Sequence, residues 1–222
     1  MQNAEMRLPQ LSPRLAMTAA LVPPGLGVAD IGSDHAYLPV HLVREGICLR
    51  AIAADIGEGP LENARQTIAH AGLQSKIELR LSDGFSQFEH GDAGCWVMAG
   101  MGGTLMARLL EAAPWLQRPG TVLAAQPMRR PEELRAWLIS HGFMIELESV
   151  CQDAGRTYMA LRAVYNGHRR AYPPGYTYYG ELANNPDPCA RALLLHTLKV
   201  LEARRKNPVP KEALDDFRSR CL

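Results

Sequence analysis

The 222-residue sequence holds no apolar run long enough to cross a membrane, because charges or prolines interrupt every stretch. Met1 to Arg14 lacks the basic region and apolar core of a secretory leader. The five cysteines (Cys48, Cys95, Cys151, Cys189, Cys221) are odd in number, scattered, and include no Cys-x-x-Cys pair. A disulfide framework is thereby excluded, a metal site has no support, and reduced thiols in a cytoplasmic protein are expected. Internal repeats and low-complexity tracts are absent. So is the Gly-x-Gly-x-x-Gly turn that a nicotinamide-dependent oxidoreductase carries after its first strand.

What remains has the balance of a soluble globular protein, 47% hydrophobic and 21% charged. The length suits one full domain with an appendage. A net charge of +1 conceals an asymmetry. Residues 1–167 carry 14 basic against 17 acidic side chains, net −3, and residues 168–222 carry 10 against 6, net +4. The expected division is therefore a mildly acidic body, 1–167, and a basic extension, 168–222. Such a tail fits a nucleic-acid partner, and equally a solvated basic helix.

The stretch from Gly27 to Tyr37 organises the chain. A short apolar run (Leu26, Val28, Ala29, Ile31) ends in an acid and a glycine, and apolar residues then recur at helical spacing from Ala36 to Val43. That is a strand, a tight turn and a helix start, with Asp34 the expected N-cap. The two carboxylates flanking the turn, Asp30 and Asp34, would repel a pyrophosphate, which prefers bare N–H groups and a helix N-terminus. They suit a ligand bearing an ammonium and a sulfonium, and S-adenosylmethionine bears both.

Further strands end in acids too. Arg50–Ile56 presents Asp55, and Ile77–Leu81 leads to Asp83 and Gly84. The carboxyl ends of strands are where open α/β sheets bind ligands. Cys95–Ala99 and Thr121–Ala125 are the fourth and fifth strands, and helices are expected over Gly59–Ala71, Leu105–Ala113 and Pro131–His141. Phe143–Val150 and Arg156–Tyr165 read as a hairpin turning at Asp153-Ala154-Gly155. Five β-α repeats and a hairpin predict an α/β fold: a doubly wound, mostly parallel sheet with one reversed strand. A first helix, capped by Ser12 and started by Pro13, is expected over one edge of the nucleotide site. Beyond Gly167, Tyr172–Gly180 reads as an aromatic, proline-broken connector. Ala190–Lys206 reads as a helix, and a short charged helix follows to Arg220.

Together these residues resemble the TrmK family of tRNA adenine methyltransferases, which modify adenosine 22 at ring nitrogen 1. The resemblance is carried by Leu11-Ser12-x-Arg14-Leu15 and by Ala29-Asp30-Ile31-Gly32-Ser33-Asp34-His35-Ala36-Tyr37-Leu38-Pro39. Ala51-Ile52-Ala53 with Asp55, Gly59-Pro60, Asp83-Gly84 and Ala99-Gly100-Met101-Gly102-Gly103 add to it. Gln126-Pro127 and Leu134-Arg135-x-Trp137-Leu138 complete the set, which spans residues 11–165. The resemblance implies a class I Rossmann-like methyltransferase domain with a small α-helical C-terminal extension, S-adenosylmethionine as cofactor and tRNA as partner. The family's tail is usually longer and rich in Glu/Lys heptads. Here Pro186, Pro188, Pro208 and Pro210 shorten any hairpin, and Met128 and Arg129 follow Gln-Pro where other residues are common.

Site roles follow as expectations. Asp30, Gly32 and Ser33 would hold the methionine part of the cofactor, Asp55 its ribose hydroxyls, and Asp83 and Gly84 its adenine, with Ile56 also in contact with the cofactor. Ala99 and Gly100 would close the site. A carboxylate only accepts hydrogen bonds, which matches a ribose diol. His35 can touch the cofactor carboxylate, touch the target base, or only bond backbone. Amino-methyltransferases of this fold place an Asn/Asp-Pro-Pro-aromatic grip where this chain has Gly100-Met101-Gly102-Gly103. Backbone and Met101 alone suit a ring-nitrogen acceptor, and Asp30 or Asp34 would meet the charge that methylation leaves on the base. Arg14, Arg129, Arg130, Arg169, Arg170, Arg204, Arg205 and Lys206 are candidate phosphate contacts. No metal is expected, and the expected state is a monomer. The competing readings are a methyltransferase acting on a small molecule or another RNA, and a non-catalytic RNA-binding module.

Overall fold

The computed structural model describes residues 10–221. Residues 1–9, which the leader reading and the 1–167 unit include, and Leu222 lie outside the described residues. Among the described residues, seven strands form one sheet in the order β3-β2-β1-β4-β5-β7-β6. They are β1 (Val28–Ile31), β2 (Ala51–Asp55), β3 (Ile77–Leu81), β4 (Cys95–Ala99), β5 (Val122–Gln126), β6 (Phe143–Asp153) and β7 (Arg156–Tyr165). The first five pair in parallel, and β7 runs antiparallel between β5 and β6. It is the one reversed strand among the described residues. The hairpin joining β6 to β7 turns on Ala154 and Gly155, both at positive φ (47° and 74°). That is the geometry a two-residue connection between twisted strands favours.

Side chains alternate between two cores, as the pleat dictates. Val28, Ala51, Ala53, Val97 and Ala124 face one side, under α1 (Pro13–Ala20), α2 (Tyr37–Arg44) and α3 (Glu58–His70). Ala29, Ile31, Ala54, Met98 and Leu123 face the other. There they meet α4 (Gly103–Glu111), α5 (Pro131–Ser140), and the C-terminal α6 (Tyr176–Tyr179), α7 (Pro188–Glu202) and α8 (Lys211–Cys221).

Four expectations change. Ala36, not Asp34, occupies the cap position of α2, at φ 53° and without a side-chain cap. The chain makes a second left-handed step there before Pro39, which lacks an N–H, settles into the first helical turn. Ser12 does cap α1, accepting from the Leu15 N–H. That helix lies against the β5-β7-β6 half of the sheet and α2, and does not cover the strands that carry the acids. Its N-terminus is drawn there by Arg14, which pairs with Asp153 at 2.9 Å and lies over the Tyr158 ring.

No helix joins β3 to β4, so the regular β-α alternation is interrupted once. Residues 82–94 cross the sheet as turns, pinned by Phe85 and Phe88, which pack edge-on against Trp96. Finally, the aromatic stretch after Gly167 is folded. Tyr176, Tyr179 and Leu182 are buried, and Pro188, expected only to shorten a hairpin, begins α7 behind an Asp187 cap.

A buried ion pair fastens that segment. Arg135 of α5 binds Glu148 of β6 at 2.7 Å (Nε–Oε1), and both side chains are essentially inaccessible. Arg135 Nη1 donates to the Thr177 and Tyr178 carbonyls, and the Leu182 N–H donates to Glu148 Oε2. A Cβ on Gly180 would overlap both Glu148 and Arg135, so only glycine admits the pair.

Candidate functional site

The sheet order reverses between β1 and β4, and the crevice outside such a switch point is the standing ligand site of doubly wound folds. Here parallel register sets Ile31 beside Ala54 and Met98, Asp55 beside Leu81, and Ala99 beside Gln126. The carboxyl ends carrying Asp30, Asp55 and Asp83 therefore follow one another along one edge.

Gly32 turns the chain off β1 at φ 84°, a conformation open to glycine at little cost. Its N–H and that of Ser33 both donate to the Ala54 carbonyl at 2.8 Å. Asp30 lies behind this turn, 6% exposed. Burial pushes its carboxyl up to about 6, the Ser33 hydroxyl opposes the rise, and the charge of Asp55 adds to it. The Ser33 hydroxyl sits beside the carboxylate without meeting hydrogen-bond geometry. It is the one buried side-chain polar atom without a partner among the described residues. Asp55 accepts from the Gly57 N–H at 2.9 Å, and its other oxygen has no hydrogen bond among the described residues. Ile56 beside it is 68% exposed, an apolar side chain left bare at the site. Asp83 is exposed and Gly84 half-buried, next to Leu109.

Asp34 and His35 stand outside this buried turn. Asp34 is 63% exposed and faces His35 Nε2 at 3.4 Å, and the imidazole stacks on Tyr37. Met101 reaches over the turn from the other side, its Cε 3.1 Å from where a Cβ on Gly32 would stand.

The loops after β4 and β5 are zipped together. Gly100 N–H donates to the backbone carbonyl and to Oε1 of Gln126, Met128 N–H to the Met101 carbonyl, and Gly103 N–H to the Arg129 carbonyl. A Cβ on Gly103 would collide with the Arg130 carbonyl, so this glycine serves close approach of two backbones. Gln126 is wholly buried, and its role as a brace was not legible from its place at the end of a strand. Beside these loops opens a cleft of about 890 Å³, bounded by Gly100, Gly102, Arg129, Arg156, Tyr178 and Leu193 among others.

The basic candidates divide. Arg129 and Arg130 lie on the cleft. Arg14 is paired with Asp153, and Arg204 with Glu132 at 2.6 Å. Arg169, Arg170, Arg205 and Lys206 are exposed in connections outside helices and strands. Arg156, which the sequence offered only as a strand start, joins the cleft. No group of three or more His, Cys, Asp or Glu among the described residues could hold a metal, and no described helix is long and apolar enough to cross a membrane.

Residues 11–161 match a family described as a methyltransferase domain. A Bacillus subtilis tRNA (adenine(22)-N(1))-methyltransferase is 36% identical over 163 residues, 73% of this chain and 68% of that protein. The crystal structure of the B. subtilis m1A22 tRNA methyltransferase TrmK superposes with a TM-score of 0.80 at 28% identity, over 97% of each chain. A Streptococcus pneumoniae protein solved with S-adenosyl-L-methionine superposes with a TM-score of 0.79 at 33% identity, over 96% of this chain and 98% of that one. With its sheet order, its run of strand-end acids and these relatives, the chain belongs to the TrmK family of methyltransferases.

Proposed function

We infer that this protein is an S-adenosylmethionine-dependent tRNA methyltransferase that forms 1-methyladenosine at position 22, the activity its B. subtilis relative is named for. The observation that carries the reading is the pairing of buried Asp30 with the partnerless Ser33 hydroxyl under the Gly32 turn. A buried carboxylate and a buried hydroxyl without donors fit a ligand that brings N–H groups. The cofactor's ammonium does so, and the residues present fit the group.

When bound, S-adenosylmethionine supplies an electrophilic methyl on a positive sulfur. The chain's own residues do the rest. Asp30, Ser33 and Gly32 hold the methionine end, with His35 at its carboxylate. Asp55 accepts from the ribose hydroxyls, and Ile56 gives an apolar face to the adenine. Asp83 accepts from the adenine amine, with Gly84 leaving room for the ring. Ala99 and Gly100 line the edge nearest the acceptor.

The adenine ring nitrogen is nucleophilic at neutral pH, so positioning rather than a strong base governs the attack. Met101 packs over Gly32 and fills the boundary between cofactor turn and cleft. Asp34, exposed beside His35, is free to meet the positive charge the base acquires, while Asp30 is engaged below. The division into a catalytic unit, 1–167, and a basic tRNA-binding extension, 168–222, belongs to the same reading. Arg129, Arg130, Arg169, Arg170, Arg205 and Lys206 are its phosphate contacts. Arg14 and Arg204 would join them only by leaving their carboxylates. A monomer acting in the cytoplasm, where tRNA is handled, completes the proposal.

Labelled methyl transfer to an unmodified tRNA transcript tests it. Label recovered as 1-methyladenosine is expected. Cofactor binding with transfer to no tRNA would move the acceptor to a small molecule.

A further inference from the structure

The cleft beside the zipped loops is not explained by the cofactor residues. At about 890 Å³ it lies toward the upper end of the roughly 300–1,000 Å³ of small-molecule sites. It opens at the carboxyl end of β4, the strand beside β1 and its buried acid. Gly100, Gly102 and Thr104 form part of one side, and Tyr178, Leu193 and Thr197 come from the C-terminal segment that the Arg135–Glu148 pair holds in place.

Gly102 is the most informative residue. Its backbone is ordinary, φ −78° and ψ 144°, so no left-handed conformation demands glycine. A Cβ there would meet nothing within 4 Å, so no packing demands it either. Its neighbour Gly103 is explained by the Arg130 carbonyl. Gly102 is the N-cap of α4, where glycine is accepted, and it lines the cleft with no side chain between its backbone and a ligand.

Charge points the same way. Of the four arginines that line the cleft, Arg135 is neutralised by Glu148, and outside the lining Arg14 and Arg204 are paired with Asp153 and Glu132. Arg129 and Arg156 have no carboxylate within 4 Å among the described residues, and Arg130 reaches Glu133 only at 3.7 Å. Guanidinium groups without carboxylates at the mouth of a cleft suit phosphate oxygens.

We propose that this cleft receives the target nucleoside turned out of its tRNA stack, against Gly102 and Tyr178, while Arg129 and Arg156 hold the phosphates that flank it. The inference rests on the methyl-transfer reading above and assigns its acceptor side. Taking a base out of the stack is what chemistry on its ring edge requires, and an aromatic ring at the wall gives it a surface to stack on.

The test uses the full chain carrying Arg156→Ala or Gly102→Leu, with S-adenosylmethionine binding and melting temperature as controls. Arg156→Ala should lower the slope of log K against log salt for tRNA by about 0.7–0.9 and weaken tRNA binding about fivefold at 0.15 M salt. Gly102→Leu should cut kcat at least tenfold while tRNA binding stays within about twofold, because the phosphates still dock when the nucleoside cannot enter. Both variants should bind S-adenosylmethionine like the parent. An unchanged salt slope in Arg156→Ala, or an unchanged kcat in Gly102→Leu, would overturn the assignment while the parent still methylates tRNA. A parent that methylates no tRNA would overturn the function and this inference together.

Discussion

Replacing Asp30 by asparagine should stabilise the cofactor-free protein and weaken its hold on the cofactor. Burial lifts this carboxyl from 3.8 to about 6. An acid whose pKa is raised on folding keeps a proton that the unfolded chain releases between those values. Native stability therefore falls as pH climbs from about 4 to 6 and stays level above. Two pKa units correspond to roughly 3 kcal/mol. Asparagine cannot ionise, but a buried amide short of partners returns about 1–2 kcal/mol of that gain. The net, about 1–2 kcal/mol, raises Tm by roughly 2–8 °C in a chain of this size. Thermal unfolding of both proteins from pH 4 to 8 should show the gap widening up to pH 6 and then holding. Calorimetric titration at pH 7.5 should show S-adenosylmethionine bound roughly 10- to 100-fold more weakly. Binding to the parent should itself fade as pH drops through 6 and Asp30 takes up its proton. A gap independent of pH, or cofactor bound equally well by the variant, would refute the reasoning.

Three other substitutions probe separate parts of the account. Asp55→Ala should weaken cofactor binding by about 10- to 100-fold, with Tm within a few degrees of the parent, since its one described hydrogen bond is to Gly57. Gly103→Ala drives a methyl into the Arg130 carbonyl. It should lower stability by about 1–3 kcal/mol in denaturant titrations and depress methyl transfer as the two loops part. Glu148→Ala strands a buried guanidinium and should lose about 3–5 kcal/mol. The double change Arg135→Met with Glu148→Leu should recover much of that in the same unfolding assay.

The strands were legible because each buried one is a short, mostly apolar run that ends at or beside an acid, a glutamine or a glycine. Asp30, Asp55 and Asp83 could be picked out for that reason, and Cys95–Ala99 has the expected bounds. The reversed strand followed from the Ala154-Gly155 turn. What escaped depends on partners far away in the chain. Nothing near Gln126 foretells that its amide braces Gly100, and Arg135 and Glu148 are ordinary surface types until the fold buries them together. Asp34 is a favourable cap by type, yet the chain needed one more left-handed step, at Ala36, before α2 could start. The missing helix between β3 and β4 is replaced by aromatic packing on Trp96, which periodicity does not record. The tail's prolines read as shortening a hairpin, whereas Pro188 opens α7 and Pro210 supplies the carbonyl that receives the Ala213 and Leu214 N–H groups at the start of α8.

The most direct measurement of the central claim compares two unmodified tRNA transcripts that differ only at position 22, adenosine in one and guanosine in the other. Each is incubated with the protein and labelled S-adenosylmethionine. Label in the adenosine transcript alone, released by nuclease digestion as 1-methyladenosine, is the predicted result. Equal labelling of both transcripts, or label in neither while the cofactor binds, would contradict the account.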